Sequence, residues 1–182
     1  MTAYTLAGSV SSLSIGAMFT ALGSVLGAAR AGIYGVVASI VVAVIAMARE
    51  FGWLSIPLPQ LTRQTRDTWA KAFNGTQAAA LWGFDLGLTF TTWLTFSGVW
   101  LLAVVAILAK ESAFGATLFT LYWFGRAGSV WLGPLLLREA SATSRLLHEL
   151  TGQHLLFQRI HAMGLMWSVV VLVICLVRGT AI

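Results

Sequence analysis

Charge is scarce in this chain. Of 182 residues, only 9% are Asp, Glu, Lys or Arg, where about 25% is usual for a water-soluble domain. Cysteine occurs once, at Cys175, which excludes an intrachain disulfide and any CxxC site. The acidic side chains number 6 and are scattered, so the paired carboxylates of a hydrolase are missing, as are a nucleotide-binding loop and a Ser/His/Asp set. Catalysis by this chain alone is not expected. The opening MTAYTLAGSV lacks the basic n-region of a secretory signal, and the apolar stretch after it is too long for a typical h-region. It is expected to be a retained first span.

What the chain has instead is apolar length, since 58% of it is hydrophobic. A helix crossing the hydrocarbon needs roughly 20 such residues at about 1.5 Å each. The expected fold is an all-α integral membrane protein, one transmembrane domain over 1–182 with about five transmembrane helices. The spans fall at about 4–29, 32–48, 77–109, 112–137 and 162–177, with polar loops over 51–76 and 138–161. The third span is long and carries one charge, Asp85. Gly83, Gly87, Thr89, Thr91, Thr92, Thr95, Ser97 and Gly98 gather at its centre, where a bend is permitted because small and hydroxyl residues allow close packing and can satisfy loosened backbone groups.

The net charge of +5 does not point to nucleic acid, because the basic residues lie between apolar runs and not on one face. They set topology instead. With a cytoplasmic N-terminus and five crossings, Arg49, Arg63, Arg66, Lys71, Arg138, Arg145 and Arg159 fall inside, against Arg30, Lys110 and Arg178 outside. That bias follows the positive-inside rule and places the C-terminus outside.

Several residues stand out as candidate sites. In the first span, Ser12 to Gly16 and Gly23 to Gly27 have the small-xxx-small spacing of closely packed helices. Gly83 and Gly87 repeat it in the third. Asp85 and Arg126 lie roughly 12 Å and 18 Å from the cytoplasmic ends of their helices at about 1.5 Å per residue. A mid-span arginine costs about 2.5 to 3.5 kcal/mol on insertion scales, so Arg126 should face the bundle interior. The two form either a polar route, with Thr91 and Thr92, or a structural ion pair. Arg63, Arg66, Trp69 and Lys71 suit a short helix in the headgroup region, a contact for anionic lipid or a partner. His154 and His161 are about 10 Å apart on a helix, too far to share a metal whose bonds to nitrogen are near 2 Å. They and His148 are expected at the interface or in the cytoplasm. No metal or other cofactor is expected.

The order of elements resembles a known family. A Gly-rich helix, a short turn, an aliphatic helix, a polar loop, a Gly/Thr-centred helix, then GATLFTLYWFGRA and a closing HAMGLMWSVVVLVICL are similar to the transmembrane domain of the CcdA/DsbD family, which passes reducing equivalents to extracytoplasmic thiols. The likeness matches that family's second through sixth spans, and it implies a cytoplasmic N-terminus in a bacterial-type inner membrane. Where the second half of the family carries its Pro-Cys pair, this chain has GLTFTTWLTFSG. Thiol exchange needs an attacking thiolate and a resolving sulfur, so no redox residue carries over. The resemblance then implies a cysteine-less relative, like the methylamine-utilisation members that serve maturation of secreted enzymes. The expected function is a non-catalytic subunit or assembly factor for a membrane or extracytoplasmic partner, or for a second copy of itself, in a lipid bilayer. The alternative is a small-solute or metal-ion permease routed past Asp85, Arg126 and the threonines.

Overall fold

A computed structural model describes residues 1–28, 31–57, 68–92, 96–109, 111–136 and 153–179, and all regular structure among them is helical. The helices are α1 (Thr2–Val25), α2 (Ile33–Glu50), α3 (Trp69–Ala72), α4 (Gly75–Gly87), α5 (Gly98–Leu108), α6 (Ser112–Leu136) and α7 (His154–Val177). Three segments, Thr2–Val25, Ile33–Glu50 and Leu155–Val177, are long and apolar enough to cross a membrane.

Helix α1 carries an unusual load of hydroxyls for an apolar helix, and it satisfies the buried ones within its own backbone. Ser9 Oγ donates to the Thr5 carbonyl at 2.8 Å, Ser12 Oγ to Ser9 at 3.1 Å and Thr20 Oγ1 to Gly16 at 3.2 Å. The buried hydroxyls of Thr5, Ser11, Ser12 and Thr20 all donate to carbonyls three or four residues back, so small serines can act as near-alanines in the packing. The glycines then let other backbones approach. Gly8 lies under the Trp123 indole, Gly16 against the Gly115 backbone and Gly23 against the Ile107 carbonyl. Gly83 of α4 meets Tyr4, and Gly87 meets Gly8 and Ser11. A Cβ at Gly27 would meet nothing within 4 Å among the described residues; its φ of 69° belongs to the turn that ends α1.

These contacts fix helix directions. Residues 83, 87 and 107 follow one another along α1 beside residues 4, 8 and 23, so α4 and α5 both run the way α1 runs. Helix α6 runs against it, with Gly115 beside Gly16 and Trp123 beside Gly8. Helix α2 opposes α5, since Gly35 neighbours Leu108 while Ala46 and Glu50 bond to Ser97. Helix α7 starts near the end of α2 and runs back along it. There Val36, Ala43, Ala46, Leu101, Leu165 and Leu172 form one buried cluster.

The third span differs from the single helix expected over 77–109. It is two helices, α4 and α5, separated by residues 88–97. The last span also differs: expected from about 162, it begins at His154, so the end of the expected polar loop forms its first turns. Of the headgroup contacts, Trp69 and Lys71 stand on the four-residue α3, with Lys71 exposed. Arg63 and Arg66 lie outside the described residues, as do His148 and most of the loop over 138–161.

Candidate functional site

Thr89, Thr92 and Ser97 at the interruption between α4 and α5 are buried, and a break in a helix leaves backbone groups that apolar surroundings cannot satisfy. Each end is closed by specific side chains. At the α4 end the chain turns sharply: Thr89 takes φ 65°, rare for a β-branched residue, and Phe90 N donates to the Leu88 carbonyl at 2.6 Å. Thr91 Oγ1 donates to the Asp85 carbonyl at 2.8 Å and Thr89 Oγ1 to Gly87 at 3.2 Å. Arg126 Nη1 reaches across from α6 to the Leu86 carbonyl at 3.4 Å. A cation thus sits where the negative pole of α4 ends.

The α5 end is closed by groups from two other helices. Glu50, the last residue of α2, accepts at Oε1 from Ser97 N at 2.7 Å and from the Ser97 hydroxyl. The same hydroxyl lies 3.1 Å from the Ala46 carbonyl. The next free amide, Gly98 N, donates to His161 Nε2 of α7 at 3.2 Å, and the His161 ring stacks on Phe96 with centroids 4.8 Å apart. Arg49 Nη1 pairs with Glu50 Oε1 at 3.2 Å while its Nε donates to the Ile56 carbonyl. An anion therefore meets the positive pole of α5, the complement of the arrangement at α4.

Glu50 is 3% exposed and Asp85 5%, burial that an ionisable side chain rarely tolerates without partners. Thr89, Thr92 and Ser97 are buried with them. Two cavities flank the head of α5. The smaller, about 150 Å³, is lined by Val42, Ala46, Arg49, Ile56, Ser97 and Trp100. The larger, about 380 Å³, lies between α5, α6 and α7 and is lined by Gly98, Leu102, Tyr122, His161, Gly164 and Ser168 among others.

Of the residues singled out from sequence, Asp85, Thr91, Thr92 and Arg126 all belong to α4, the interruption or its α6 neighbour. Ser12, Gly16, Gly23, Gly83 and Gly87 line the α1 contacts or lie within α1's buried stripe. Glu50 and His161 were missed as site residues. The available signal was that Glu50 lies next to Arg49 at the end of an apolar run, which reads equally well as an ordinary span boundary. Among the described residues no group of three His, Cys, Asp or Glu could hold a metal ion.

No protein-family model matches the chain, and no curated protein or solved structure matches it either. Fold and site together define a class: an all-helical protein with apolar helices of membrane-spanning length, built around a discontinuous helix whose two inner ends are held by charged side chains from neighbouring helices.

Proposed function

We propose that this chain is a five-crossing membrane permease for a small cation or small polar solute, with its route at the interruption between α4 and α5. The observation that carries the reading is the pair of buried carboxylates, Glu50 and Asp85, at a broken helix inside an apolar bundle. Irregular backbone at membrane depth persists where it is buried in protein or lines a cavity, and discontinuous helices commonly frame solute and ion sites. The alternation of helix directions supports an odd number of crossings, with α4 and α5 forming one. The Lys and Arg bias of the loops then makes the N-terminus cytoplasmic and the C-terminus outside, in a bacterial-type inner membrane.

Proteoliposomes test this with rubidium and ammonium as probes. Influx of at least one above that of protein-free vesicles, lost in Asp85→Asn and retained in Gly125→Ala, is the expected result. Influx no greater than that of empty vesicles, or unaffected by Asp85→Asn, would count against it.

A second reading, a CcdA/DsbD-like subunit or assembly factor, is favoured by α7. Leu155, Met163, Met166, Trp167, Val171 and Ile174 are exposed along it, and a partner helix could cover that face as well as lipid can. A polypeptide that stays bound through mild-detergent purification, with no flux, would support it.

A further inference from the structure

The Glu50 carboxylate is used unevenly. Oε1 takes the Ser97 amide, the Ser97 hydroxyl and the Arg49 guanidinium, whereas Oε2 of the same group is buried and has no hydrogen-bond partner among the described residues. The side chain is 0% exposed. A buried acceptor left without a donor is costly, and such an atom in a folded protein calls for an explanation.

We propose that Glu50 Oε2 is a proton-binding site, and that loading it releases the head of α5 from α2 and joins the two cavities. The inference rests on the permease reading and adds the coupling ion. A hard cation would need several oxygen ligands, and a larger solute would need room and further polar contacts. A proton needs one free acceptor, which is what Oε2 offers. Uptake adds one proton to Oε2 and removes one negative charge from the clasp. Hydrogen bonds to an ionised acceptor are roughly twice as strong as neutral ones, so the Ser97 and Arg49 contacts weaken together.

The geometry gives that weakening a consequence. Ser97 lines the smaller cavity and Gly98 the larger, so the first turn of α5 is the wall between them. Glu50 holds that turn from α2 and His161 holds it from α7. Among the described residues, the charged or titratable groups around the clasp are Arg49 on α2 and His161 on α7. Helix α5 contributes only the dipole at its N-terminus, while Asp85 of α4 and Arg126 of α6 stand at the other lip of the interruption.

Infrared difference spectroscopy on the protein in lipid nanodiscs, titrated with acid, reads the site directly. A protonated-carboxyl band should grow in the wild type, vanish in Glu50→Gln, shift in Glu50→Asp and persist in Asp85→Asn. Spectra unchanged by Glu50→Gln overturn the assignment. If that variant does not fold, a Glu50→Asp band unmoved in position and size overturns it equally. In proteoliposomes, an inward proton gradient should accelerate rubidium or ammonium influx in the wild type but not in Glu50→Gln. A Glu50 band without any flux sinks the permease reading and leaves the proton site. Flux with no Glu50 band sinks the proton site alone.

Discussion

At the scale of single residues, the protein depends on atoms that are absent as much as on those present. Gly16 has no side chain because the Gly115 backbone occupies that space, and a Cβ there would run into the Gly115 carbonyl and lie 2.9 Å from Ala116 Cα. Backbone cannot swing aside as a flexible side chain can, so Gly16→Ala should destabilise by about 1 to 3 kcal/mol, the usual cost of overpacking. Gly125 sits in α6 with nothing within 4 Å of a would-be Cβ. Gly125→Ala should therefore be neutral or stabilise by up to about 1 kcal/mol, from helix propensity alone. Thermal unfolding in one detergent compares the pair, and equal midpoints for the two variants would refute the packing argument. From sequence, both positions read simply as glycines in apolar helices, and only the neighbour across the interface separates them.

Each element owes its limits to local chemistry. Helix α4 begins at a capping box, in which the Asn74 side chain accepts from Gln77 N at 2.9 Å and Gln77 Oε1 reaches back to Asn74 N. This signature can be read directly in NGTQ. Asn74→Ala should cost about 1 kcal/mol. The other end of α4 depends on a residue 40 positions away, Arg126, whose guanidinium meets the Leu86 carbonyl. Arg126→Leu should cost more than the cap variant, about 1.5 to 3 kcal/mol, because it removes a charge-assisted hydrogen bond from the Leu86 carbonyl, which keeps the Thr89 amide as a donor at 3.2 Å, and takes the cation away from the negative pole of α4. Chemical denaturation of both variants decides it: an Arg126→Leu loss no larger than that of Asn74→Ala would mean the arginine does not hold that helix end. The expectation of one helix over 77–109 failed at this scale. The apolar run is continuous in sequence, but Thr89 and Thr91 donate to α4 carbonyls, and Glu50 and His161 accept the first free amides of α5. Hydroxyl side chains flanking a break were visible in the sequence; acceptors arriving from α2 and α7 were not.

At the scale of the whole molecule, helix directions make a prediction about sidedness. Residue 2 begins α1 at the end of the bundle where α2 finishes, and α7 finishes at the opposite end, beside the start of α2. In a Cys175→Ser background, cysteines placed at Thr2 and Gly52 should react with a membrane-impermeant maleimide from one side, and a cysteine at Gly179 from the other. Labelling of positions 2 and 179 from the same side would contradict the proposed five-crossing topology.

The sequence by itself determined the helical, membrane-suited character of this chain, because apolar length and scarcity of charge are properties of composition and order along the chain. It also determined that α1 would be approached closely, since glycines and serines at helical spacing leave room whatever comes near. Only the tertiary structure decided that the central span is broken and that Glu50, Ser97 and His161 meet at the break. They come from helices far apart in the chain, and a residue ending one helix becomes the cap of another only when packing brings the two ends together.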